Sequence, residues 1–313
     1  MSEILWAVLL LVVGFVLLIK GADFFVEGSS SVAKMLKVPS IIIGLTIVAM
    51  GTSLPECAVS ITASTTGNNA LAVSNAVGSN IFNLMVVCGF SALFTPLLVD
   101  KNTLKKEFPF SIVCAVVLLA LGAVGMSLGH FDGAILLVVF AGFMIWMVRS
   151  ALNARANASD DEYETLPVWK CVVFILGGIA AIKIGGDFVV DGASTVAASF
   201  GLSENLIGLT IVACGTSLPE LVTSVVAAKK NELDMALGNV IGSNIFNFLF
   251  VLGVASAISP ITFITENIID IVILVAMSLL VWVFGWTKQK IDKKEGIIML
   301  LIYVVYLVYI CVR

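Results

Sequence analysis

Residues 44–56 read GLTIVAMGTSLPE, and residues 208–220 read GLTIVACGTSLPE. The two stretches differ only where Met50 corresponds to Cys214, so 12 of 13 positions agree at a separation of 164 residues (220 − 56). At the same separation residues 75–83, NAVGSNIFN, return as residues 239–247, NVIGSNIFN, and Asp23-Phe24 returns as Asp187-Phe188. No insertion separates the motifs. A constant spacing held across motif pairs marks one duplicated unit, and a duplication decides architecture before any single residue does.

The 313 residues around these motifs are 60% hydrophobic and only 12% charged, with a mean hydropathy of +1.11. An ordinary soluble domain carries about 25% charged residues. That composition excludes a soluble enzyme, a nucleic-acid binder and a secreted disulfide module. The six cysteines, Cys57, Cys88, Cys114, Cys171, Cys214 and Cys311, lie scattered without a C-x-x-C pair and read as small buried residues. Apolar stretches run over 4–36, 39–66, 70–95, 107–128, 133–152, 168–200, 205–228, 234–258, 263–286 and 295–312. Long continuous runs of this kind indicate helices, since barrel strands are short and alternating. The first run follows Met1-Ser2-Glu3 with no basic region before it, which predicts a retained span rather than a signal peptide. The one hydrophilic stretch is residues 153–167, NARANASDDEYETLP. The expectation is an all-α membrane protein of ten transmembrane helices, with a five-helix repeat over 1–152, a linker over 153–167 and a second repeat over 168–313.

Basic residues set the orientation. Lys34, Lys37, Lys101, Lys105, Lys106, Arg149, Arg155, Lys170, Lys229, Lys230, Lys288, Lys290, Lys293 and Lys294 fall near odd-numbered connections, 14 of the 17 in the chain. By the positive-inside rule the odd connections and the linker are cytoplasmic and both termini lie outside. Five spans per half then place the second repeat upside down relative to the first, the inverted plan of secondary transporters with a site near the midplane. A multi-pass protein of the plasma (inner) membrane is expected.

Glu56 and Glu220 occupy equivalent places in the middle of spans two and seven. A carboxylate at that depth costs a few kcal/mol or more, so it faces protein or a water-filled cavity. Two facing carboxylates are a hard oxygen environment suited to Ca²⁺ or Na⁺. Pro55 and Pro219 beside them lack an N–H, which frees a carbonyl near Gly51 and Gly215 and predicts a kink. Thr52, Ser53, Thr216 and Ser217 add hydroxyls within one turn. Ser79 with Asn83, and Ser243 with Asn247, are spaced i, i+4 on one helix face and supply neutral oxygens. In spans one and six, Lys20, Asp23 and Glu27, and Lys183, Asp187 and Asp191, share a helix side, which predicts internal pairing. His130, in a short outer loop, is assigned no function. No H-E-x-x-H or G-x-S-x-G pattern appears, so no enzyme is expected.

The duplicated GTSLPE and GSNIFN motifs resemble the α-repeats of the Ca²⁺/cation antiporter superfamily, and within it the prokaryotic sodium/calcium exchangers. The resemblance covers all ten spans. It implies a core of spans two, three, seven and eight, across which spans one and six slide to alternate access. By matching motif positions it implies Ca²⁺ ligands at the Glu56 and Glu220 carboxylates and the Thr52 and Thr216 carbonyls. It implies Na⁺ ligands at Ser53, Ser217, Ser79, Ser243 and the carbonyls of Ala49 and Ala213, with Asn83 and Asn247 completing the polar centre. Many relatives carry Asp where this chain has Asn247, which argues against K⁺ co-transport. The proton/calcium branch carries a G-N-x-x-E type motif instead of GTSLPE, which argues against proton coupling. The expected function is electrogenic, K⁺-independent Na⁺/Ca²⁺ antiport, with the transported ions and the lipid bilayer as partners and no cofactor, nucleic acid or protein partner. A proton-coupled or other-cation exchanger, and a cation channel, are the competing readings.

Overall fold

A chain crossing hydrocarbon must pair its backbone groups within the segment, and helices do so locally. The computed structural model describes residues 2–67, 69–157, 164–202, 207 and 211–313, and outside its connections it is helical apart from four two-residue strands. Helix α1 (Ser2–Leu36) is followed by α2 (Ser40–Thr52) and α3 (Leu54–Thr65), which meet at a bend of 49°. Then come α4 (Leu71–Phe94), α5 (Thr103–Ala123), α6 (His130–Ala156) and α7 (Val168–Ser199). The short α8 (Ala213–Gly215) and α9 (Leu218–Lys229) precede α10 (Leu233–Ile258), α11 (Thr265–Lys288) and α12 (Lys293–Val312). Among the described residues eight helices are long and apolar enough to cross a membrane, or nine with the bent α2–α3 pair. The seventh expected span, 205–228, includes 205, 206 and 208–210, which lie outside the described residues; its described residues, 207 and 211–228, include α8 and most of α9.

The second span bends where the kink is expected, by a break between two helices. Ser53 leaves the helix (φ −84°, ψ 12°), and Pro55 is the second residue of a new helix. Ser217 (φ −96°, ψ 6°) and Pro219 do the same at the start of α9. At a first turn the missing N–H of proline has no intrahelical partner to lose. The prolines therefore begin helices, and each begins one whose first turn carries a glutamate.

Burial separates a core from a periphery. The apolar windows of α4 and α10 are 72% and 78% buried, against 22% and 28% for α1 and α7. Those two outer helices lie along each other through glycines spaced seven residues apart, Gly14, Gly21 and Gly28 on α1 and Gly178, Gly185 and Gly192 on α7. A Cβ on Gly14 would stand 2.8 Å from the Gly185 carbonyl oxygen, and one on Gly185 would stand 2.7 Å from that of Gly14. Gly178 and Gly21 repeat this at 2.8 and 3.0 Å. Backbones this close leave no room for side chains between them.

Two antiparallel clasps tie the halves together. Strand β1 (Leu97–Leu98) pairs with β4 (Lys290–Ile291), and β2 (Ser127–Leu128) pairs with β3 (Ile261–Thr262). β1 and β3 are 164 residues apart (261 − 97), whereas β2 and β4 are 163 apart (290 − 127). The first half therefore holds one extra residue between its clasps. The π-helical turn Thr103–Glu107 lies in that interval and has no counterpart in α11, so the wider turn accommodates the insertion. After β4 the chain re-enters α12 through Asp292, whose carboxylate accepts from the amides of Lys294 (3.0 Å) and Glu295 (3.1 Å). Hydrogen bonding to the Lys288 ammonium and to these amides holds the Asp292 carboxyl down to about 2.

Candidate cation site

Glu56 and Glu220 are completely buried, each in the first turn of its helix, where the positive end of the helix dipole favours a carboxylate. The serine of one motif serves the glutamate of the other. Ser53 Oγ donates to Glu220 Oε1 at 2.8 Å, and Ser217 Oγ donates to Glu56 Oε1 at 3.2 Å. Ser79 Oγ also donates to Glu56 Oε1 (3.1 Å) and lies 2.8 Å from Ser217 Oγ. The two carboxylates are close enough for their charges to interact, and neither has a basic partner among the described residues.

Asparagines hold this centre in the same reciprocal pattern. Asn75 Nδ2 donates to the Glu56 carbonyl (3.2 Å) and to Ser60 Oγ (3.0 Å); Asn239 Nδ2 donates to the Glu220 carbonyl (3.4 Å) and to Ser224 Oγ (2.9 Å). Asn80 Nδ2 donates to the Asn244 carbonyl (3.1 Å), and Asn244 Nδ2 donates to that of Asn80 (3.4 Å). Asn83 Nδ2 reaches Asn244 Oδ1 at 3.4 Å, and Asn247 Nδ2 reaches Asn80 Oδ1 at 3.0 Å. Each bond has a partner bond displaced by 164 residues. Both α4 and α10 widen into a π turn starting at the inner asparagine, over Asn83–Val87 and Asn247–Val251, a local geometry frequent at functional sites.

The structure thus brings Glu56, Glu220, Ser53, Ser217, Ser79, Asn83 and Asn247 into one bonded cluster. Ser243 is buried beside it on α10. The buried Thr52 hydroxyl donates to Asn239 Oδ1 (3.1 Å), while Thr216 is half-buried. The Ala49 carbonyl already accepts from the Ser53 amide (3.1 Å) and the Thr52 hydroxyl (3.3 Å), so a cation there would displace one of them. Ala213 contributes its backbone in α8, and its side chain lies outside the described residues. Asn75, Asn80, Asn239 and Asn244 escape the sequence reading although they stand within the same duplicated motif. The signal for them is the spacing of the motif, since Asn75 and Asn80 recur 164 residues on as Asn239 and Asn244.

Five buried oxygens in the cluster have no hydrogen-bond partner: Glu56 Oε2, Glu220 Oε2, Asn83 Oδ1, Asn247 Oδ1 and Ser243 Oγ. An unpaired buried acceptor costs about 1–3 kcal/mol, and an ionised one costs more. Four of these oxygens are paired by the repeat and all are hard donors, the set expected for Na⁺ or Ca²⁺. Among the described residues no group of three His, Cys, Asp or Glu side chains stands together; the two carboxylates here are supplemented by neutral oxygens.

The charges on α1 pair differently from the helical spacing. Lys230, in the connection after α9, bonds Asp23 (2.7 Å) and Glu27 (3.4 Å), and Ser30 donates to Glu232 in the same connection. On α7 the expected internal pair forms between Lys183 and Asp187 at 2.6 Å. The long-range partner wins on α1 because the connection after α9 reaches the flank of that helix.

Comparison with known proteins gives this arrangement its place. The model of the family described as sodium/calcium exchanger protein matches residues 6–149 and 170–312. The chain is 41% identical to the putative antiporter CaxA of Alkalimonas amylolytica, over 96% of this chain and 97% of that protein. It is 31% identical to the sodium/calcium exchanger MaX1 of Methanosarcina acetivorans, again over 96% and 97%. A structure of the sodium-calcium exchanger NCX_Mj, soaked with Na⁺ and Sr²⁺, superposes with a TM-score of 0.84 at 34% identity, covering 96% of this chain and 97% of that one. With its duplicated glutamates, its bent second span and a match along nearly its whole length, the chain belongs to the sodium/calcium exchanger family.

Proposed function

We propose that this cation/Ca²⁺ antiporter exchanges Na⁺ for Ca²⁺ by alternating access, at one site built by Glu56 and Glu220 with Ser53, Ser79, Ser217, Ser243, Thr52, Thr216, Asn83 and Asn247 around them and the carbonyls of Ala49 and Ala213 at its edge. The observation that carries the reading is the pair of buried carboxylates, each with one oxygen fixed by a serine of the other motif and one oxygen unpartnered. Two negative charges without a basic neighbour require cations or protons inside a low-dielectric core. One Ca²⁺ neutralises them; several Na⁺ ions do the same across the wider set of oxygens.

The ten spans form two inverted five-helix repeats, 1–152 and 168–313, joined by a cytoplasmic linker over 153–167, with both termini outside and the chain in the plasma membrane. Supporting this are the 164-residue reciprocity of the hydrogen bonds, the two crossed clasps, and the basic residues at odd connections. The glycine-lined contact of α1 with α7 is smooth enough for those helices to move together across the buried α4–α10 core. Asn247 makes exchange independent of K⁺. Its amide donates to Asn80 Oδ1, a bond that an aspartate at this position could not make.

Proteoliposomes test the reading through ⁴⁵Ca²⁺ uptake with Na⁺, K⁺ or H⁺ gradients imposed one at a time. Only outward Na⁺ should drive accumulation against the Ca²⁺ gradient. If three Na⁺ replace one Ca²⁺, the loaded site carries net charge only in its sodium form, and moving one charge through the membrane field is worth about 2.3 kcal/mol per 100 mV. An inside-positive potential should then speed Ca²⁺ entry into Na⁺-loaded vesicles. Uptake driven by H⁺ alone would replace the coupling ion, and passive equilibration without accumulation would favour a channel.

A further inference from the structure

At the ends of α5, α6 and α10 lies a second cavity of about 750 Å³ that shares no lining residue with the glutamate site. Two bases, Lys106 and Arg149, and three acids, Asp100, Glu107 and Asp234, face it, with Trp146 at its edge. None of the five has an ion-pair partner among the described residues. Asp100 is near enough to act electrostatically on both Glu107 and Asp234, and Glu107 Oε2 is buried without a hydrogen-bond partner. Lys106 and Trp146 also line an adjacent apolar groove of about 530 Å³ along α5 and α6. The stacked rings of Phe110 and Phe143 (5.3 Å) line the groove, and a Cβ added to Gly142 would meet nothing within 4 Å.

The second half handles its charges in another way. Asp270, the counterpart of Glu107 once the extra residue of the first half is discounted (270 − 163), grips Arg313 through two bonds of 2.7 and 2.6 Å. That corner is satisfied internally, whereas the first half leaves both signs of charge open at the mouth of an apolar groove. An anionic head group would meet the two bases and be repelled by three carboxylates. A metal ion lacks a suitable cluster among the described residues. A choline head group offers no N–H to Glu107 Oε2.

We propose that this cavity and groove bind a phospholipid whose head group carries a primary ammonium. Its phosphate sits between Lys106 and Arg149, its ammonium on Asp100, Glu107 and Asp234, and one acyl chain over Gly142. Trp146, which lines both cavity and groove, reports occupancy. The full-length chain is placed in vesicles of phosphatidylethanolamine, phosphatidylcholine and phosphatidylglycerol, and brominated acyl chains are put on each lipid in turn at equal bromine content. The Trp146 signal is the difference between the wild type and Trp146→Phe. Brominated phosphatidylethanolamine should quench it most. Glu107→Gln should lower that preference about fivefold, the worth of one head-group charge near a membrane surface, whereas Lys106→Gln, at the phosphate common to all three lipids, should weaken quenching by each of them. Gly142→Leu, on a separate helix with room for the side chain, should remove the preference while Ca²⁺ exchange in phosphatidylcholine vesicles persists. Equal quenching by all three lipids, a preference for phosphatidylglycerol, or a preference unchanged in Glu107→Gln would overturn the proposal.

Discussion

The Glu56 half and the Glu220 half of the site are built from nearly identical sequence, yet they are satisfied unequally. Glu56 Oε1 accepts from Ser217 and Ser79, and Ser79 also accepts from Asn247 at 3.4 Å. Glu220 Oε1 accepts from Ser53, while Ser243, the counterpart of Ser79, has an unpartnered hydroxyl. Thr52 is buried and bonded to Asn239, whereas Thr216 is half-buried. Identical motifs therefore do not give identical environments. The difference has to come from how the helices around each copy are set. The proposed alternating access would call for such an inequivalence, because in any one state only one side of the site can be open.

The comparison breaks most sharply at the carboxylates. Glu56→Gln and Glu220→Gln should each reduce Ca²⁺ exchange about a hundredfold or more with insertion intact, since removing one charge leaves a divalent ion half compensated in a dry site. Near-normal exchange in either variant would mean that the halves are not partners. Replacing a smooth contact comes next. Gly14→Val and Gly185→Val, each forcing a side chain against backbone less than 3 Å away, should slow exchange about tenfold, and equilibrium ion binding to the purified protein should change little. Loss of binding together with exchange would assign these glycines to the site itself.

The serines sharpen the comparison. Ser79→Ala should destabilise the ion-free protein by about 1.5–3 kcal/mol, the worth of a hydrogen bond to a charged group, while Ser243→Ala should leave thermal unfolding of the ion-free protein nearly unchanged and weaken Na⁺ binding. Equal thermal shifts for the two would show that the halves are equivalent in solution. The smallest effect belongs to Lys230→Gln. Its partners Asp23 and Glu27 are partly exposed, so the loss should stay within about 1 kcal/mol and appear as a few-fold change in exchange rate.

Much of this was legible in the residues because duplication repeats a signal. The buried glutamates, the serines beside them and the inner asparagines stand out as polar residues at matched positions in apolar spans. What hid was long-range or geometric. Proline next to a buried acid reads as a kink, and only the backbone at Ser53 and Ser217 shows that it starts a helix. Asp23 and Glu27 have a nearby lysine in sequence, yet Lys230 reaches them from more than 200 residues away. The extra residue in α5 changes no motif and surfaces only in the offset between clasps. The glycines seven apart on α1 and α7 were visible, but their meaning depends on which helix lies opposite.

The central claim is that Na⁺ and Ca²⁺ occupy one site closed by both glutamates. Ca²⁺ binding to the purified protein, titrated at increasing Na⁺, tests it directly. One Ca²⁺ per chain should bind, its apparent dissociation constant should rise with more than the second power of Na⁺ concentration, and both Glu56→Gln and Glu220→Gln should abolish binding. Ca²⁺ binding that is indifferent to Na⁺, or that survives in either variant, would contradict the account.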